Sequence, residues 1–342
     1  MQIFIHEFVT GGGLWHSSAD PAASPLLAEA KAMVAALAAD FAELPDVTVQ
    51  VTRDSRLPAF HPPGLQVNEV GSGEAELAML SYLASHADWT LLIAPETGGA
   101  LAQRTGLVEM ARGKLLSPPT LFVQLAGNKQ ATAELLSRRR IPVPRGALVT
   151  GADQVKKEFS FPAVLKPNDG CGSQDVRLIT GPSEIPADLP SDRWRLEEFV
   201  PGMAVSVVVL CGPKEYYVLP ACEQRLSTDG RFKYLGGRLR LVPNLDGRAR
   251  RLGLPAVRAL PPAIGYVGVD LVLGDAADGS GDRVIEINPR LTTSYIGLRA
   301  ASKSNLAAAM LAVAEGKPAD LRFGGEAIEF TADGHLSRPV VS

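Results

Sequence analysis

Two short runs near the C-terminal end of the chain carry the residues with the clearest capacity for chemistry. Asp270 lies in the run 268–273, and Glu286 and Asn288 lie in the run 284–290. Both runs are apolar and rich in β-branched residues, so they are predicted to pair as a hairpin. Glu286 and Asn288 are two residues apart and therefore point to the same face of their strand. Two carboxylates and an amide oxygen on one surface suit Mg²⁺, or Mn²⁺, bridged to nucleotide phosphates. The alternative is an exposed strand face with ordinary polar residues.

A lysine followed by a glycine-rich loop is the second feature. Lys166 ends an apolar strand, and the loop 167–174 contains Gly170, Gly172 and Ser173. Glycine lets backbone N–H groups approach phosphate oxygens, and the lysine adds a positive charge. The glycine spacing matches neither the Walker A loop nor the dinucleotide-binding motif. A hairpin turn with a solvent-exposed lysine is the alternative.

Two further segments contain residues that are typical of a nucleotide-binding site. Lys129 begins a predicted helix, where the positive end of the helix collects anions. The strand predicted at 195–199 runs into a turn, where backbone groups can hold an adenine and a carboxylate can hold ribose hydroxyls. The residues assigned to this contact are Glu197, Glu198, Phe199 and Val200. Taken alone, each segment also fits an ordinary solvated surface.

The N-terminal part of the chain supplies the elements that position such a site. Strands are predicted at 3–8, 47–52 and 89–94, and helices at 25–44 and 74–87. This alternation favours a parallel sheet with helices on its faces. Ligands of such sheets gather beyond the carboxyl ends of the strands.

Polar loops follow those three strands and are predicted to form one rim. Glu7 and Gly12 follow the first strand, and Glu96 follows the third. These residues could hold an ammonium group or a small polar acid. Simple turns with solvated acids are an equally good interpretation.

The second half of the chain is rich in predicted strands. After a helix at 129–140, strands are predicted at 161–166, 175–179, 195–199, 204–211 and 216–221, before the hairpin and a closing helix at 305–315. A chain of 342 residues is too long for one compact core and suits two or three domains.

Composition excludes several classes of protein. Hydrophobic residues make up 46% and charged residues 21%, as in ordinary globular proteins. A net charge of −3 gives no support for nucleic-acid binding. No apolar run reaches the roughly 18 residues of a membrane span, and the N-terminus lacks a signal-peptide pattern. The three cysteines lack metal or disulfide spacing. We therefore expect a cytoplasmic protein without nucleic-acid or membrane partners.

The chemical features occur in an order that resembles the ATP-grasp superfamily. The resemblance covers about residues 100–300, and its strongest part is the Glu-x-Asn-Pro-Arg run that follows a Val-Asp pair on the neighbouring strand. It implies an α/β and α+β fold in which two α+β subdomains enclose ATP after a doubly wound domain. The implied domains are 1–100 (N-terminal), 101–200 (central, with the lysines and glycine-rich loop) and 201–342 (C-terminal, with the metal-binding strands).

The resemblance also implies roles for individual residues. Lys129 and Lys166 would contact the phosphates of ATP, and Glu197 with the following backbone would contact its sugar and base. Asp270, Glu286 and Asn288 would hold one or two Mg²⁺ ions. Arg290 and Lys166 would act on the transferred phosphoryl group or on an acyl phosphate. Ser206 stands where many members carry an acid.

Other segments resemble the tyramine–glutamate ligase group of methanofuran biosynthesis. They are 7–13, 94–97, 204–207, 223–224, 233–237 and 288–294. This resemblance implies that glutamate is activated as an acyl phosphate and joined to a tyramine- or tyrosine-like amine. The implied substrate residues are Glu7, Gly12, Glu96, Gln224 and Gly237. The alternatives are another ATP-grasp amino-acid or peptide ligase and a nucleotide-binding module without turnover. A homodimer is also compatible with the superfamily.

Overall fold

The computed structural model describes residues 1–17, 19–151, 155, 159–170, 172–187, 189 and 193–338. Cys171, within the predicted glycine-rich loop, lies outside the described residues. No described helix is both long enough and apolar enough to cross a membrane.

The N-terminal sheet has four parallel strands in the order β3-β2-β1-β4. The strands are β1 (Gln2–Glu7), β2 (Thr48–Asp54), β3 (Gln66–Val70) and β4 (Trp89–Ile93). Helices α1 (Leu27–Ala42), α2 (Gly73–His86) and α3 (Ala100–Met110) connect or follow them. The predicted strands and helices of this region are confirmed. β3 was not predicted, because it is a largely exposed edge strand with polar residues.

The carboxyl ends of three N-terminal strands meet, as the rim prediction requires. The Phe8 N–H donates to the Ile93 carbonyl at 2.8 Å, and the Asp54 N–H donates to the Thr10 carbonyl at 2.6 Å. These bonds join the loops after β1, β2 and β4 into one edge.

A smaller central sheet is antiparallel, in the order β5-β8-β6-β7. Its strands are β5 (Gly146–Leu148), β6 (Ala163–Pro167), β7 (Arg177–Ile179) and β8 (Trp194–Glu198). It has a small core of its own that includes Leu165 and Leu196. Helices α4 (Thr120–Ala126) and α5 (Lys129–Arg138) precede it.

The C-terminal sheet contains eight described strands, and seven of them run in the order β14-β13-β9-β11-β12-β15-β16, with β10 paired to β9. The strands are β9 (Met203–Cys211), β10 (Tyr216–Val218), β11 (Cys222–Leu226), β12 (Tyr234–Leu239), β13 (Gly265–Leu273), β14 (Arg283–Asn288), β15 (Ile328–Thr331) and β16 (Leu336–Ser337). Helices α6 (Pro243–Arg258), α7 (Ser294–Ala301) and α8 (Leu306–Ala314) complete this part.

The predicted C-terminal hairpin is confirmed as β13 and β14. The two strands are antiparallel and place Asp270 opposite Glu286. β13 also pairs with β9 along its whole length, so it is buried inside the sheet. The enlarged turn between the strands is closed by Arg248, which donates from Nε to the Asp282 carboxylate at 3.1 Å.

The N-terminal and C-terminal sheets share one apolar core. Ile3 and Leu37 belong to the same buried cluster as Leu298 and Phe330. Asp40 on α1 reinforces this contact, because the Tyr295 hydroxyl donates to it at 2.6 Å.

The three sheets lie inside the predicted domain ranges, but the packing does not follow those ranges everywhere. Phe122 of α4 and Leu136 of α5 pack in the core beneath β9 and β13 of the C-terminal sheet. The predicted domain boundaries at residues 100 and 200 therefore do not coincide with the limits of separate apolar cores, and they stay predictions.

Candidate active site

A cavity of about 1060 Å³ lies between the central and C-terminal sheets, beside the start of α1. Its walls are the start of α1, the end of β6 with the glycine-rich loop, the end of β8, and strands β11 to β14. Segments 292–294 and 331–333 close it on the side of the N-terminal sheet. The volume suffices for a nucleotide together with small substrates.

Asp270, Glu286 and Asn288 come together on the floor of this cavity. The Asn288 Nδ2 group donates to Asp270 Oδ2 at 2.9 Å, and Gln224 Nε2 donates to Asp270 Oδ1 at 2.9 Å. Burial, followed by the charge of Glu286, raises the pKa of Asp270 to about 7. Two carboxylates facing each other in a partly buried position repel unless a cation neutralises them.

The donor set therefore fits a hard divalent cation. Within the described ranges, no group of three or more His, Cys, Asp or Glu side chains is placed to hold a metal ion. Two carboxylates and one amide remain, and oxygen ligands of this kind suit Mg²⁺, which keeps several waters and phosphate oxygens as its other ligands.

Positive charges face the carboxylates from the central sheet and α5. Lys129 Nζ lies 3.2 Å from Glu286 Oε2. Burial alone would raise the pKa of Glu286, but Lys129 and Lys166 outweigh it and hold that pKa below its usual value. Asp270 and Glu286 thus lie close to the positive charges of Lys129 and Lys166, as a site for polyphosphate and metal requires.

Lys166 is held by a buried ion network. Its Nζ lies 2.5 Å from Glu197 Oε1, and Arg195 Nε donates to Glu197 Oε2 at 2.9 Å. All three side chains are at most 5% exposed. Both oxygens of Glu197 are thus engaged with cations of the protein. Glu197 also lines the cavity, so its contact with a ribose stays a prediction beside its observed contacts with Lys166 and Arg195.

The N-terminus of α5 also differs from the expectation of an anion site. The Asn168 carbonyl accepts from the Lys129 N–H and the Asn168 side chain accepts from the Gln130 N–H, both at 2.9 Å. Asn128 caps the same helix with its side chain. These amides are therefore satisfied by the protein, and only the side chain of Lys129 reaches the cavity.

Gly170, Gly172 and Ser173 line the cavity beside the lysines. Gly172 and Ser173 both have left-handed backbone, with φ of +60° and +56°. Such a turn directs successive backbone N–H groups to one side. The loop can therefore cover phosphates, as its composition predicts.

The end of β8 forms another part of the wall. Glu198, Phe199 and Val200 all line the cavity, as predicted. The ring of Phe232 stacks on Phe199 with centroids 6.1 Å apart. Glu198 also forms an ion pair with Arg145 at the surface. This wall is apolar and aromatic, which suits a purine base.

Two predicted substrate residues reach the cavity or touch its lining. Gln224 lines it and contacts Asp270. Glu96 does not line it but contacts Arg290, which does. Arg290 follows β14, so its guanidinium lies on the same floor as the metal-site residues.

Glu7, Gly12 and Gly237 lie outside the cavity, and their predicted substrate contacts are not supported. Glu7 is buried, and its carboxylate accepts hydrogen bonds within its own loop from Val9 and Thr10. Gly12 has a φ of +102°, and Gly237 is packed closely against the side chains of its neighbouring strands. Their residue types reflect turn and packing requirements.

One residue that sequence reasoning missed also lines the cavity. Glu29, in the first turn of α1, accepts a hydrogen bond from the Thr293 hydroxyl. Burial raises the pKa of Tyr234, and the nearby charge of Glu29 adds to that shift. A signal was available, because helices of a parallel sheet begin near the carboxyl ends of its strands.

Comparison with known proteins agrees with this geometry. A family model for the ATP-grasp domain matches residues 126–294, and one for the pre ATP-grasp 3 domain matches residues 47–120. The chain belongs to the ATP-grasp superfamily. Its central and C-terminal sheets carry the ATP-grasp match, and most of the N-terminal sheet carries the preceding domain.

Named relatives and a solved structure extend the comparison of this ATP-grasp protein to nearly its whole length. The tyramine–L-glutamate ligase of Methanocaldococcus fervens is 27% identical over 90% of this chain and 93% of that protein. The enzyme of the same name from Methanocaldococcus jannaschii is 26% identical, with 90% and 89% covered. A crystal structure of an ATP-grasp superfamily protein from Archaeoglobus fulgidus has the same fold, with a TM-score of 0.70, 22% identity, and 97% and 92% covered.

Proposed function

We propose that this ATP-grasp protein activates glutamate as an acyl phosphate and joins it to a tyramine- or tyrosine-like amine. The protein is an ATP-dependent carboxylate–amine ligase of the ADP-forming class. Its relatives over 90% of the chain are tyramine–L-glutamate ligases, which supports the proposed pair of substrates. The product would be an intermediate in the biosynthesis of a cofactor of the methanofuran or methylofuran type.

The observation that carries the proposal is one cavity that contains an acidic pair, an aromatic pair and a further carboxylate beside a tyrosine. Asp270 and Glu286, Phe199 and Phe232, and Glu29 and Tyr234 all line it. We assign the purine base of the nucleotide to the aromatic pair and the terminal phosphate to the acidic pair. The amine is assigned to Glu29 and Tyr234, which we call the amine end.

The reaction needs charge balance and alignment more than covalent help from the protein. One carboxylate oxygen of the acid bonds to the terminal phosphorus of ATP, and the bond from that phosphorus to ADP breaks. The amine nitrogen then bonds to the acyl carbon, phosphate leaves with the carboxylate oxygen, and the amine releases a proton.

The chain's own residues have distinct tasks in this scheme. Lys129 and Lys166 neutralise phosphate charge, and Arg290 faces the transferred group. Asp270, Glu286 and Asn288 would hold Mg²⁺ or Mn²⁺, which supplies further charge neutralisation when bound. The glycine-rich loop keeps water from the acyl phosphate.

The amine end of the cavity has the chemistry for an aromatic ammonium. Leu26 and Tyr234 provide apolar and aromatic surface, and Glu29 provides a carboxylate. No cation among the described residues forms an ion pair with Glu29, whereas Glu197 and Glu286 are both paired with lysines. A bound ammonium would complete the charge balance of Glu29.

A screen of amines against glutamate tests the proposal directly. Protein, ATP and Mg²⁺ are incubated with each amine, ADP release is followed, and the product mass is determined. We expect amine-dependent ADP release and a glutamyl-amide product with tyramine or a close analogue. A different product would identify another amino-acid or peptide ligase, and ATP binding without turnover would indicate a nucleotide-binding module.

Paired variants connect that activity to the acidic floor. Glu286→Gln should reduce turnover by at least about 100-fold, because it removes a charged ligand from the transfer site. Glu326→Gln is the control, since Glu326 pairs with Arg338 on the exposed surface. Full turnover by Glu286→Gln would show that the metal assignment is wrong.

The predicted homodimer and cytoplasmic location stay predictions.

A further inference from the structure

Arg290 is held by Glu96, a residue from the N-terminal part of the chain. Its Nε donates to Glu96 Oε1 at 3.0 Å, and its Nη2 donates to Glu96 Oε2 at 3.4 Å. Its Nη1 donates to the Leu291 carbonyl at 3.2 Å. Paired contacts of this kind fix the plane of a guanidinium as well as its position.

Glu96 is well placed to act as a fixed support. Its side chain is 5% exposed, and the Arg290 side chain is 12% exposed. Glu96 begins a tight turn after β4, in which the Gly99 N–H donates to the Glu96 carbonyl at 3.0 Å. The carboxylate is therefore carried by a rigid edge of the N-terminal sheet and reaches the C-terminal sheet from there.

The same loop contacts the covering loop of the nucleotide site. The Gly98 N–H donates to Asp169 Oδ2 at 3.1 Å, and Asp169 lies in the glycine-rich loop that follows Lys166. Loop 95–99 thus contacts two segments that form the cavity, namely Arg290 after β14 and the glycine-rich loop through Asp169.

We infer that Glu96 is a positioning residue, which orients the Arg290 guanidinium toward the group transferred between the substrates. The inference rests on the proposed function, because it assumes that Arg290 acts on that group. It replaces the expectation that Glu96 binds substrate. Without Glu96, the Arg290 side chain would adopt several rotamers. A charge misplaced by about 1 Å can lower the rate of the chemical step about 100-fold.

Steady-state kinetics separate positioning from substrate binding. For Glu96→Gln, we expect kcat to fall about 100-fold while the KM values for ATP, acid and amine stay within about twofold. Glu69→Gln is the control, because Glu69 pairs with Arg53 at an exposed edge of the same sheet. A raised KM for one substrate with kcat unchanged would overturn the inference, as would an unchanged or increased kcat.

A milder variant guards against loss of folding. Glu96→Asp keeps the charge but withdraws the carboxylate by about 1.5 Å, one carbon–carbon bond. We expect a native melting temperature and a reduced kcat. A natively folded Glu96→Asp protein with full kcat would overturn the inference.

An arginine side-chain spectrum provides a readout that does not depend on turnover. In a ¹⁵N–¹H spectrum, the Arg290 Nε–H signal is identified by its absence in Arg290→Lys. We expect slow solvent exchange of this signal in the wild type and fast exchange in Glu96→Gln. The same exchange rate in both proteins would overturn the inference. If no substrate pair gives turnover, the proposed function fails, while this spectrum still decides whether Glu96 holds Arg290.

Discussion

Replacing Glu197 with glutamine should destabilise the protein strongly, because the change leaves buried cations without their counter-charge. Lys166 lies 2.5 Å from one oxygen of Glu197, and Arg195 lies 2.9 Å from the other. The relative exposures of the three residues are 4%, 2% and 4% for Lys166, Arg195 and Glu197. Removing one partner of a buried ion pair costs about 3–5 kcal/mol.

The neighbouring residue provides a matched control for this prediction. Glu198 lies next to Glu197 in β8 and also pairs with an arginine, but the Arg145 side chain is 78% exposed. Water screens that pair and solvates Arg145 when Glu198 is changed. Glu198→Gln should therefore leave the melting temperature close to that of the wild type.

Thermal unfolding of the two variants, each without and with ATP and Mg²⁺, measures both consequences. We expect the melting temperature of Glu197→Gln to fall by on the order of 10 °C. ATP should also stabilise this variant less than the wild type, because Lys166 loses the partner that fixes it beside the phosphates. Equal melting temperatures for the two variants would refute the view that Glu197 is a buried structural counter-charge.

Two further predictions concern the amine end and the N-terminal sheet. Glu29→Gln should raise the KM for the amine at least tenfold, because a charged hydrogen bond is lost. The KM for ATP should not change. An unchanged KM for the amine would show that the ammonium group binds elsewhere. Burial alone would raise the pKa of Glu76, but His6 and Arg104 lower it to about 2. A lowered folded pKa stabilises the protein above about pH 4.5, and this contribution of about 3 kcal/mol is lost as the pH falls toward 2. In acid titrations, the stability gap between wild type and Glu76→Gln should therefore narrow over that range, and a constant gap would contradict the assignment.

Local pattern was sufficient to predict the parts of the fold with clear periodicity. Strands β1, β2 and β4 of the N-terminal sheet and the hairpin of β13 and β14 are apolar runs bounded by turns, and the structure confirms them. Helix α6 was not predicted, because its sequence contains Pro255 and glycines that usually interrupt helices. It forms because Ala249, Ala256 and Val257 are buried against the C-terminal sheet.

The candidate site could be predicted where its residues share a strand or a loop. Strand pairing places Asp270 opposite Glu286, and Asn288 lies two residues further along β14 on the same face. The partner of Arg290 could not be predicted, because Glu96 is 194 residues away in sequence. Glu29 was missed although the start of α1 follows the carboxyl end of a parallel strand, because nothing local in the sequence marks its contact with Thr293.

The shared core of the two outer sheets determines how substrates can enter. Pulling those sheets apart would expose Ile3, Leu37 and Phe330 to water at once, at a large hydrophobic cost. The central sheet has a separate core, so moving it away from the other two sheets would break mainly polar contacts, such as the hydrogen bond between Gly98 and Asp169. Displacement of the central sheet would therefore open the nucleotide end of the cavity at a lower free-energy cost than separation of the two outer sheets, and would leave Asp270 and Glu286 in place.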